Sequence, residues 1–540
     1  MRKQIATIVF FALSINLLSQ QTESVATHPE VNGAGAGNAN TSAMIRKEGM
    51  SNSKVMDYAF QLTDVSGPRL TVSPGFTRAA NWAKDELTKL GLSNARLEPW
   101  GEFGKGWQQE RCYIAMTQPY YHPIIALPRA WTGSTPGTTI INSEVVLVKA
   151  KDSVELMKYA GKLKGKIVML WSPVQLKPSF EADGNRYTPD ALAKMAAANP
   201  AEAGNNRQRN AGDSAQRAER MNRQALQRKI DQFLIKQQPA LILSMNANGT
   251  DGTIFVSGGG YYAKDSAVVP ASVMVAGDDY LQLQRLVEAG VKVKVEADVK
   301  TKFFTNDLKG YNVIAEIPGT DPVLKDEIVM LGGHLDSWHG ATGATDNAAG
   351  CAVMMEAVRI IKAMGVQPKR TIRIALWSGE EQGLFGSRNY VKNNFADPAT
   401  MELKPAHEKI SAYYNLDNGS GKIRGIYLQG NKDARDLFSS WLQPFSDMEA
   451  TTVTINNTGG TDHLAFDAVG IPGFQFIQDE LEYDTRTHHT NMDTYDHLVA
   501  DDLKQASMIV AAFVLNTAQL DKKIPRKELP KPAGARNRAF

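Results

Sequence analysis

Cysteine is almost absent from this chain, which has two in 540 residues, Cys112 and Cys351. The two lie far apart, and Cys351 falls within the apolar pattern of a predicted helix, where a small buried thiol is the expected state. We therefore expect no structural disulfide and no closed, cysteine-rich zinc site. For a chain with the export signal described below, so little cysteine favours a bacterial origin over an animal one.

The chain also lacks a strong charge of either sign and, after its N-terminus, any long apolar run. The formal net charge is +3, so no overall field favours nucleic acid or an anionic membrane surface. No later segment reaches the roughly 18 apolar residues that a membrane span needs. With 43% hydrophobic and 22% charged residues the composition is globular, and a chain of 540 residues is expected to form two or more domains.

The first 26 residues have the pattern of a secretory signal peptide. Arg2 and Lys3 precede the apolar run Ile5–Leu18, and Ser24–Ala26 is a small-residue cleavage site. The run is short for a bilayer span, although an uncleaved anchor is the alternative. We expect a secreted or periplasmic protein without stable membrane association after cleavage.

The segments that follow differ in character. Residues 27–42, rich in glycine, alanine and asparagine, are typical of a flexible leader, and residues 521–540 form a basic, proline-rich tail that we expect to be a loosely held strap. Residues 126–299 contain short strand-like runs separated by turns, which indicates a separate β-rich domain. An arginine- and glutamine-rich stretch, residues 180–237, interrupts that domain.

The arginines of this insertion could suggest a nucleic-acid patch. However, Leu226, Ile230, Phe233 and Leu234 mark one apolar face of a helix, and the arginines fall largely elsewhere. A solvated helix face is the favoured interpretation, and no nucleic-acid partner is expected.

Residues 43–125 and 300–520 are expected to form the main α/β domain. From Gly310 onward, strand-like runs alternate with helical patterns, which predicts a mostly parallel mixed sheet covered by helices on both faces. Ligands of such sheets bind at the carboxyl ends of the strands. The runs on which this depends are strands Glu327–Leu331, Thr371–Trp377, Ser411–Asn415 and Gly473–Phe476 and helices Asn347–Met364, Leu384–Asn393 and Asp501–Gln519.

Five short segments of this domain carry the residue types of a site for two metal ions. Each follows an apolar run or opens a helix, and together they hold several of the nine histidines in the chain. Imidazole and carboxylate ligands suit zinc, so we predict a metallopeptidase. The segments are His334-Leu335-Asp336, Thr345-Asp346-Asn347, Ser378-Gly379-Glu380-Glu381, Asn415-Leu416-Asp417 and His488-His489-Thr490.

The acidic residues suggest individual roles. Asp346 precedes a helix whose N-terminus favours an anion, and it suits a carboxylate shared by both ions, although an ordinary N-cap is the alternative. The adjacent Glu380 and Glu381 repel each other unless a cation neutralises them, so one can bind metal while its neighbour acts as general base. Asp336 follows His334 by two residues, which fits a carboxylate that orients a metal-bound histidine.

The motifs GHLDS, TDNAAG, SGEEQGLFGS, NLD, GTDHLAF and HHTNMDT, in this order, resemble the zinc aminopeptidase and glutamate carboxypeptidase family, which includes carboxypeptidase Q. The resemblance implies two zinc ions per chain. It places one with His334 and Asp417 and the other with Glu381 and His489, with Asp346 bridging them.

By the same resemblance Glu380 is the general base, Asp336 the supporting acid, and His488 a group that helps hold the tetrahedral oxyanion. Asp462 and His463 match a further family motif near the pocket, without an assigned role. Members of the family often carry an inserted protease-associated domain, which the resemblance places at residues 126–299.

The function expected from these features is a secreted di-zinc exopeptidase that acts on peptides, with an aminopeptidase favoured. A dipeptidase or carboxypeptidase of the carboxypeptidase Q type is the main alternative. An inactive binding protein of the transferrin-receptor kind would require lost ligands, and a glutaminyl cyclase-like acyltransferase typically holds one zinc. A homodimer is possible on this reading.

Overall fold

The computed structural model describes residues 35–199 and 214–532. The predicted signal peptide and residues 27–34 of the predicted leader lie outside these ranges. Two eight-stranded sheets dominate the described part of the chain. No helix within it is both long and apolar enough to cross a membrane.

The first sheet has four parallel strands at its centre. Strands Thr371–Trp377, Ile328–His334, Ile410–Asn415 and Gly473–Gln478 pair in this spatial order. Antiparallel neighbours extend the sheet on both sides, so it is mixed, and the predicted α/β fold class is confirmed. The outer strands are Ser93–Glu102 and Lys309–Ile317 on one side, and Ile423–Tyr427 and Thr452–Thr454 on the other.

Both faces of this sheet are buried, which explains why its central strands are mostly apolar instead of alternating with polar residues. In strand Ile328–His334, Val329 and Leu331 pack into one core while Met330 packs into the other. Helices Phe385–Asn394 and His463–Asp467 cover the Met330 face. The larger core on the opposite face lies under Gly35–Ser51, Val55–Phe60, Pro74–Lys89, Ala349–Ala363, Arg435–Leu442 and Ala500–Gln519.

Short elements connect these strands and helices. A two-stranded pair, Ala396–Asp397 with Glu402–Leu403, follows helix Phe385–Asn394. Single helical turns lie at Gln61–Val65, Ala344–Ala348, Pro405–Lys409, Lys432–Ala434, Gln443–Met448, Tyr483–Thr487 and Tyr495–His497.

The second sheet begins earlier and ends later than the sequence indicated. Strands Gly106–Gln118 and Lys294–Phe304 form a long antiparallel pair, so this unit spans residues 106–304 instead of the expected 126–299. Its other strands are His122–Pro123, Ala126–Pro128, Ile141–Val148, Ile167–Leu170, Leu241–Ser244 and Ser272–Val275. The last four are parallel neighbours, and helices connect the first three of them, an alternation that the sequence did not lead us to expect.

The helices of the second unit are Ser153–Met157, Pro189–Ala196, Ser214–Gln237 and Gly277–Glu288. Helix Ser214–Gln237 belongs to the arginine-rich insertion. Its residues Ile230 and Leu234 are buried in a cluster that also contains Leu226 and Phe233, so the apolar face predicted from their spacing packs inward.

Two boundary predictions need correction. Residues 35–42, assigned to a flexible leader, are helical, because helix Gly35–Ser51 packs against helix Ala500–Gln519. A Cβ on Gly49 would lie 2.4 Å from the Met508 side chain, so glycine permits this close approach. The described part of the tail is held by specific contacts: Ile524 is buried and Lys527 pairs with Asp467.

Both cysteine side chains are free thiols, and Cys351 is buried. Its Sγ–H donates a hydrogen bond to the carbonyl of His334 at 3.0 Å. The thiol therefore contributes to the packing beneath the first of the predicted metal ligands.

Candidate metal centre

The predicted ligands lie where the central strands of the first sheet end. His334 is the last residue of its strand, Glu381 and Asp417 follow the two neighbouring strands, and Asp346 lies just before helix Ala349–Ala363. His489 lies in the loop after strand Gly473–Gln478. Because these four strands are adjacent and parallel, their carboxyl ends bring segments more than 150 residues apart to one edge.

Asp346 occupies the middle of the cluster. Its Oδ1 lies 3.1 Å from His334 Nε2, and its Oδ2 lies 3.1 Å from His489 Nε2. His334 Nε2 is also 3.2 Å from Asp417 Oδ1, and His489 Nε2 is 2.8 Å from Glu381 Oε2. Asp346 thus lies between two pairs of side chains, His334 with Asp417 on one side and His489 with Glu381 on the other.

This arrangement fits divalent cations. Among the described residues, His489 Nε2 approaches the buried Oδ2 atom of Asp346 without hydrogen-bond geometry, and such an oxygen is costly to bury unless a positive charge faces it. Potential ligand atoms of His334, Asp346 and Glu381 all lie within 4.8 Å of one another, as do those of Asp346, His488 and His489. The donor set of imidazole nitrogen and carboxylate oxygen matches the preference of zinc.

The electrostatics of the protein groups agree with this interpretation. Burial and the charge of Asp346 raise the pKa of Glu381 to about 7. Burial raises the pKa of Glu380 well above its usual value, and the nearby carboxylates of Asp417 and Asp462 add to the rise. Burial acts in the same direction on Asp346, but the close approach of His334 and His489 outweighs it and holds its pKa well below the usual value. So many buried carboxylates need added positive charge.

Asp336 supports the site in a way that differs from the sequence prediction. His334 Nδ1 bonds the main-chain carbonyl of Asp336 at 2.9 Å, whereas the nearest carboxylate oxygen is 3.8 Å away. The carboxylate instead accepts the main-chain N–H groups of Glu380 at 3.2 Å and Glu381 at 3.4 Å, and the hydroxyl of Thr71 at 2.9 Å. Asp336 therefore fixes the loop that carries both glutamates.

Asp493 is a supporting residue that the sequence analysis left unassigned. Its Oδ1 accepts the N–H of Thr345 at 2.6 Å and the Thr345 hydroxyl at 2.9 Å, and its Oδ2 accepts the N–H of Asp346 at 3.3 Å. The carboxylate thereby fixes the backbone of the central ligand. Its position in the HHTNMDT motif was the available signal.

The remaining predicted residues surround the ligands. His488 stacks on Tyr483 with ring centroids 4.6 Å apart, and its Nε2 lies 3.8 Å from Asp346 Oδ2. Asp462 and His463 are buried, and no hydrogen bond reaches the Asp462 carboxylate among the described residues. Burial raises the pKa of Asp462 to about 7.

Trp338, which the sequence analysis did not identify, borders the same site. Its main-chain N–H donates to Glu381 Oε1 at 3.2 Å, and its ring lies 6.0 Å from that of His489. No motif distinguished this tryptophan, because both contacts join segments that are distant in the sequence.

His339 makes a contact between the two sheets, and protonation of its imidazole should destabilise that contact. Its Nε2 donates to the Pro128 carbonyl at 2.6 Å, its ring meets Trp107 edge-on, and burial lowers its pKa to about 4 from 6.5. The unfolded chain binds this proton at a higher pH than the folded chain does. The free energy of unfolding should therefore fall by about 3 kcal/mol as the pH drops from 6.5 to 4.

The test is the pH dependence of urea unfolding in the wild type and in His339→Gln, whose amide can donate the same hydrogen bond without titrating. The variant should lose less stability than the wild type between these pH values. Equal losses would show that His339 is not held neutral by the fold.

Comparison with known proteins shows what this fold and site resemble. Residues 312–514, which carry all five predicted ligands, match the family model described as "Peptidase family M28". This match confirms the family resemblance and the prediction of a peptidase. Among individual relatives, carboxypeptidase Q from Mus musculus is 25% identical over 469 residues, which cover 86% of each chain.

Two solved structures share the fold. The Peptidase M28 precursor from Shewanella amazonensis has a TM-score of 0.63 at 22% identity, covering 92% of this chain and 99% of the other. A zinc aminopeptidase from Bacillus subtilis has a TM-score of 0.54 at 18% identity, covering 88% and 97% of the two chains. At these identities the likeness supports the α/β fold.

Proposed function

We propose that the protein is an exopeptidase that uses two zinc ions to hydrolyse terminal peptide bonds. The observation that carries this proposal is the position of Asp346, whose two carboxylate oxygens each approach a different imidazole at 3.1 Å. A carboxylate shared between two cations needs both oxygens directed to opposite sides. An inactive binding protein would have no use for this donor set, and an acyltransferase with one zinc would leave half of it without a role.

In this proposal His334 and Asp417 would hold one ion, Glu381 and His489 would hold the other, and Asp346 would be shared between them. When bound, such ions act as Lewis acids that polarise a carbonyl group and make water acidic enough to attack near neutral pH. The names of the family relatives support this choice, since one of the structures with the same fold is a zinc aminopeptidase.

The protein's own groups would carry the proton transfers. Glu380 accepts the proton of the attacking water and then delivers it to the departing amine. Asp336 keeps Glu380 in place through the hydrogen bond to its main-chain N–H. Burial lowers the pKa of His488, so its neutral imidazole can donate a hydrogen bond to the oxyanion that forms on the substrate carbonyl.

An aminopeptidase is the favoured activity, and a dipeptidase or carboxypeptidase is the second candidate. The structural relative named as a zinc aminopeptidase supports the first. The second is supported by the similarity to carboxypeptidase Q, which extends over 86% of both chains. We also propose that residues 106–304 correspond to the protease-associated domain and that the N-terminal pattern directs export to the periplasm or the exterior.

Cleavage of a matched set of dipeptides tests the activity. An aminopeptidase should release the first residue of free and C-amidated peptides but not of N-acetylated ones, because it must bind a free amine. Cleavage of the N-acetylated peptides, with loss of activity on the amidated ones, would establish a carboxypeptidase instead.

The dependence of cleavage on metal is a second test of the proposed function. Dialysis against a chelator should abolish cleavage, and addition of about two equivalents of zinc per chain should restore it, because the ions supply the Lewis acid. Full activity in a preparation with no metal detectable by elemental analysis would contradict the proposal.

A further inference from the structure

The loop that carries His488 and His489 follows a strand of the first sheet, but residues of the second unit hold it in place. We call residues 479–491, which follow strand Gly473–Gln478, the ligand loop. Within it His489 has a φ angle of 62°, a left-handed conformation that is unfavourable for a residue other than glycine. Such a conformation persists when surrounding contacts enforce it.

One set of contacts comes from residues 252–256 of the second unit and ends on His489 itself. The N–H of Val256 donates to the His489 carbonyl at 2.8 Å, and the N–H of Asn491 donates to the Ile254 carbonyl at 3.1 Å. The Asn491 side chain adds two more bonds, since its Oδ1 accepts the N–H of Ile254 at 2.6 Å and its Nδ2 donates to the Gly252 carbonyl at 3.2 Å. The backbone of the ligand is thus paired with the second unit.

The insertion supplies a second set of contacts at the start of the loop. Asn185 and Leu481 exchange main-chain hydrogen bonds at 3.0 and 2.7 Å, as in an antiparallel strand pair. Arg186 Nη1 lies 2.8 Å from Asp479 and 2.7 Å from Asp502, and the Asp479 side chain is fully buried. The segment 183–187, which no family motif explains, is therefore tied to the first residues of the loop.

A third contact lies between these two. Asp183 Oδ2 is 2.7 Å from Arg486 Nη2, and the Asp183 carbonyl accepts the Thr485 hydroxyl at 2.8 Å. The Asp183 carboxylate is 43% exposed, so this ion pair alone contributes little. Its position nevertheless extends the contact between the insertion and the loop to within three residues of His489.

We propose that segments 183–187 and 252–256 hold the ligand loop in its binding conformation, so that the metal position formed by Glu381 and His489 depends on the second unit. Asn491 and Arg186 are then positioning residues that act through the loop. The proposal rests on the metal assignment of the proposed function. It gives the insertion a specific role at one of the two metal positions.

The inference predicts a selective effect. His334 and Asp417 lie at or just after the ends of strands in the first sheet, so their geometry is set by that sheet. Loosening the ligand loop should weaken one zinc position and spare the other. A general loss of stability would weaken both positions together.

Zinc affinity, measured by competition with a chromophoric chelator, tests the proposal in the full-length protein. In Asn491→Ala, the affinity of one of the two positions should fall by about 10-fold, the low end of the range for residues that support a ligand. Arg186→Met should act in the same direction, and Arg186→Lys should recover part of the loss because it keeps the charge. The matched control is Glu181→Gln, which removes an exposed charge just before segment 183–187. This variant should bind zinc as the wild type does.

Cobalt in place of zinc adds a spectroscopic readout. The visible bands of one cobalt ion should change in Asn491→Ala, while those of the other stay as in the wild type. Unchanged affinities and bands in both variants would overturn the proposal, and so would an equal fall of both affinities. A wild type that binds two zinc ions without cleaving any peptide would contradict the proposed function and leave this inference intact.

Discussion

Glu380→Gln is expected to lower kcat by about 10²–10⁴-fold while both metal positions keep their affinity. The substitution removes the carboxylate that accepts the proton of the attacking water and keeps the size of the side chain. Its main-chain N–H, which Asp336 holds at 3.2 Å, is unaffected, so the loop should stay in place. The measurements are steady-state kinetics and elemental analysis on the same preparation.

The neighbouring substitution Glu381→Gln serves as the matched comparison. Glu381 Oε2 lies 2.8 Å from His489 Nε2, so its loss should release the ion at that position and abolish activity for a different reason. Excess zinc should restore part of the activity of Glu381→Gln and none of that of Glu380→Gln. A Glu380→Gln enzyme with a rate close to that of the wild type would show that another group is the base.

The second large effect is expected at Arg69, which is completely buried beneath the candidate metal centre. Its guanidinium donates to the main-chain carbonyls of Leu335 at 2.7 Å, Leu62 at 2.8 Å and Gly343 at 2.7 Å, and also to that of Thr342. Three of these carbonyls belong to the segments that flank the ligands His334 and Asp346. Arg69 therefore joins the two segments from below.

Arg69→Met should lower the free energy of unfolding by about 3–5 kcal/mol, because it leaves several buried carbonyls without a donor. Zinc affinity should fall as well, since the two ligand segments lose their common anchor. The control is Arg78→Met, which removes an exposed arginine that bonds the Ser66 carbonyl and should cost about 0.5 kcal/mol. Chemical denaturation of the three proteins gives the comparison, and similar stabilities of Arg69→Met and the wild type would contradict the prediction.

Much of the first sheet was readable from the sequence because its elements are local patterns. The buried run Thr371–Trp377 is a strand over the residues that were predicted. The helix predicted at Asn347–Met364 is found at Ala349–Ala363. Polar residues directly after such runs indicated the edge where a ligand would bind, and the structure places the five predicted ligands there.

The hydrogen-bond partners of the supporting residues could not be predicted, because those partners are distant in the sequence. Thr71 bonds Asp336 across 265 residues, and Thr345 bonds Asp493 across 148. A threonine or an aspartate in a loop has no local feature that names such a partner. Strand Gly106–Gln118 was missed because its sequence lacks the regular alternation of a strand with one solvated face. Strand Lys294–Phe304 does alternate, with Val295, Ala297 and Val299 buried, so here the sequence carried a signal that the prediction did not use.

The pairing of those two long strands has a consequence for the history of the protein. Gly106 stands opposite Phe304, so the backbone enters and leaves the second unit at points about 5 Å apart. A stretch of DNA encoding nearly two hundred residues can be gained at such a junction without displacing the scaffold on either side. A relative without this unit would also lack the hydrogen bonds that Ile254 and Val256 make with the loop carrying His489, so its loop would need other contacts.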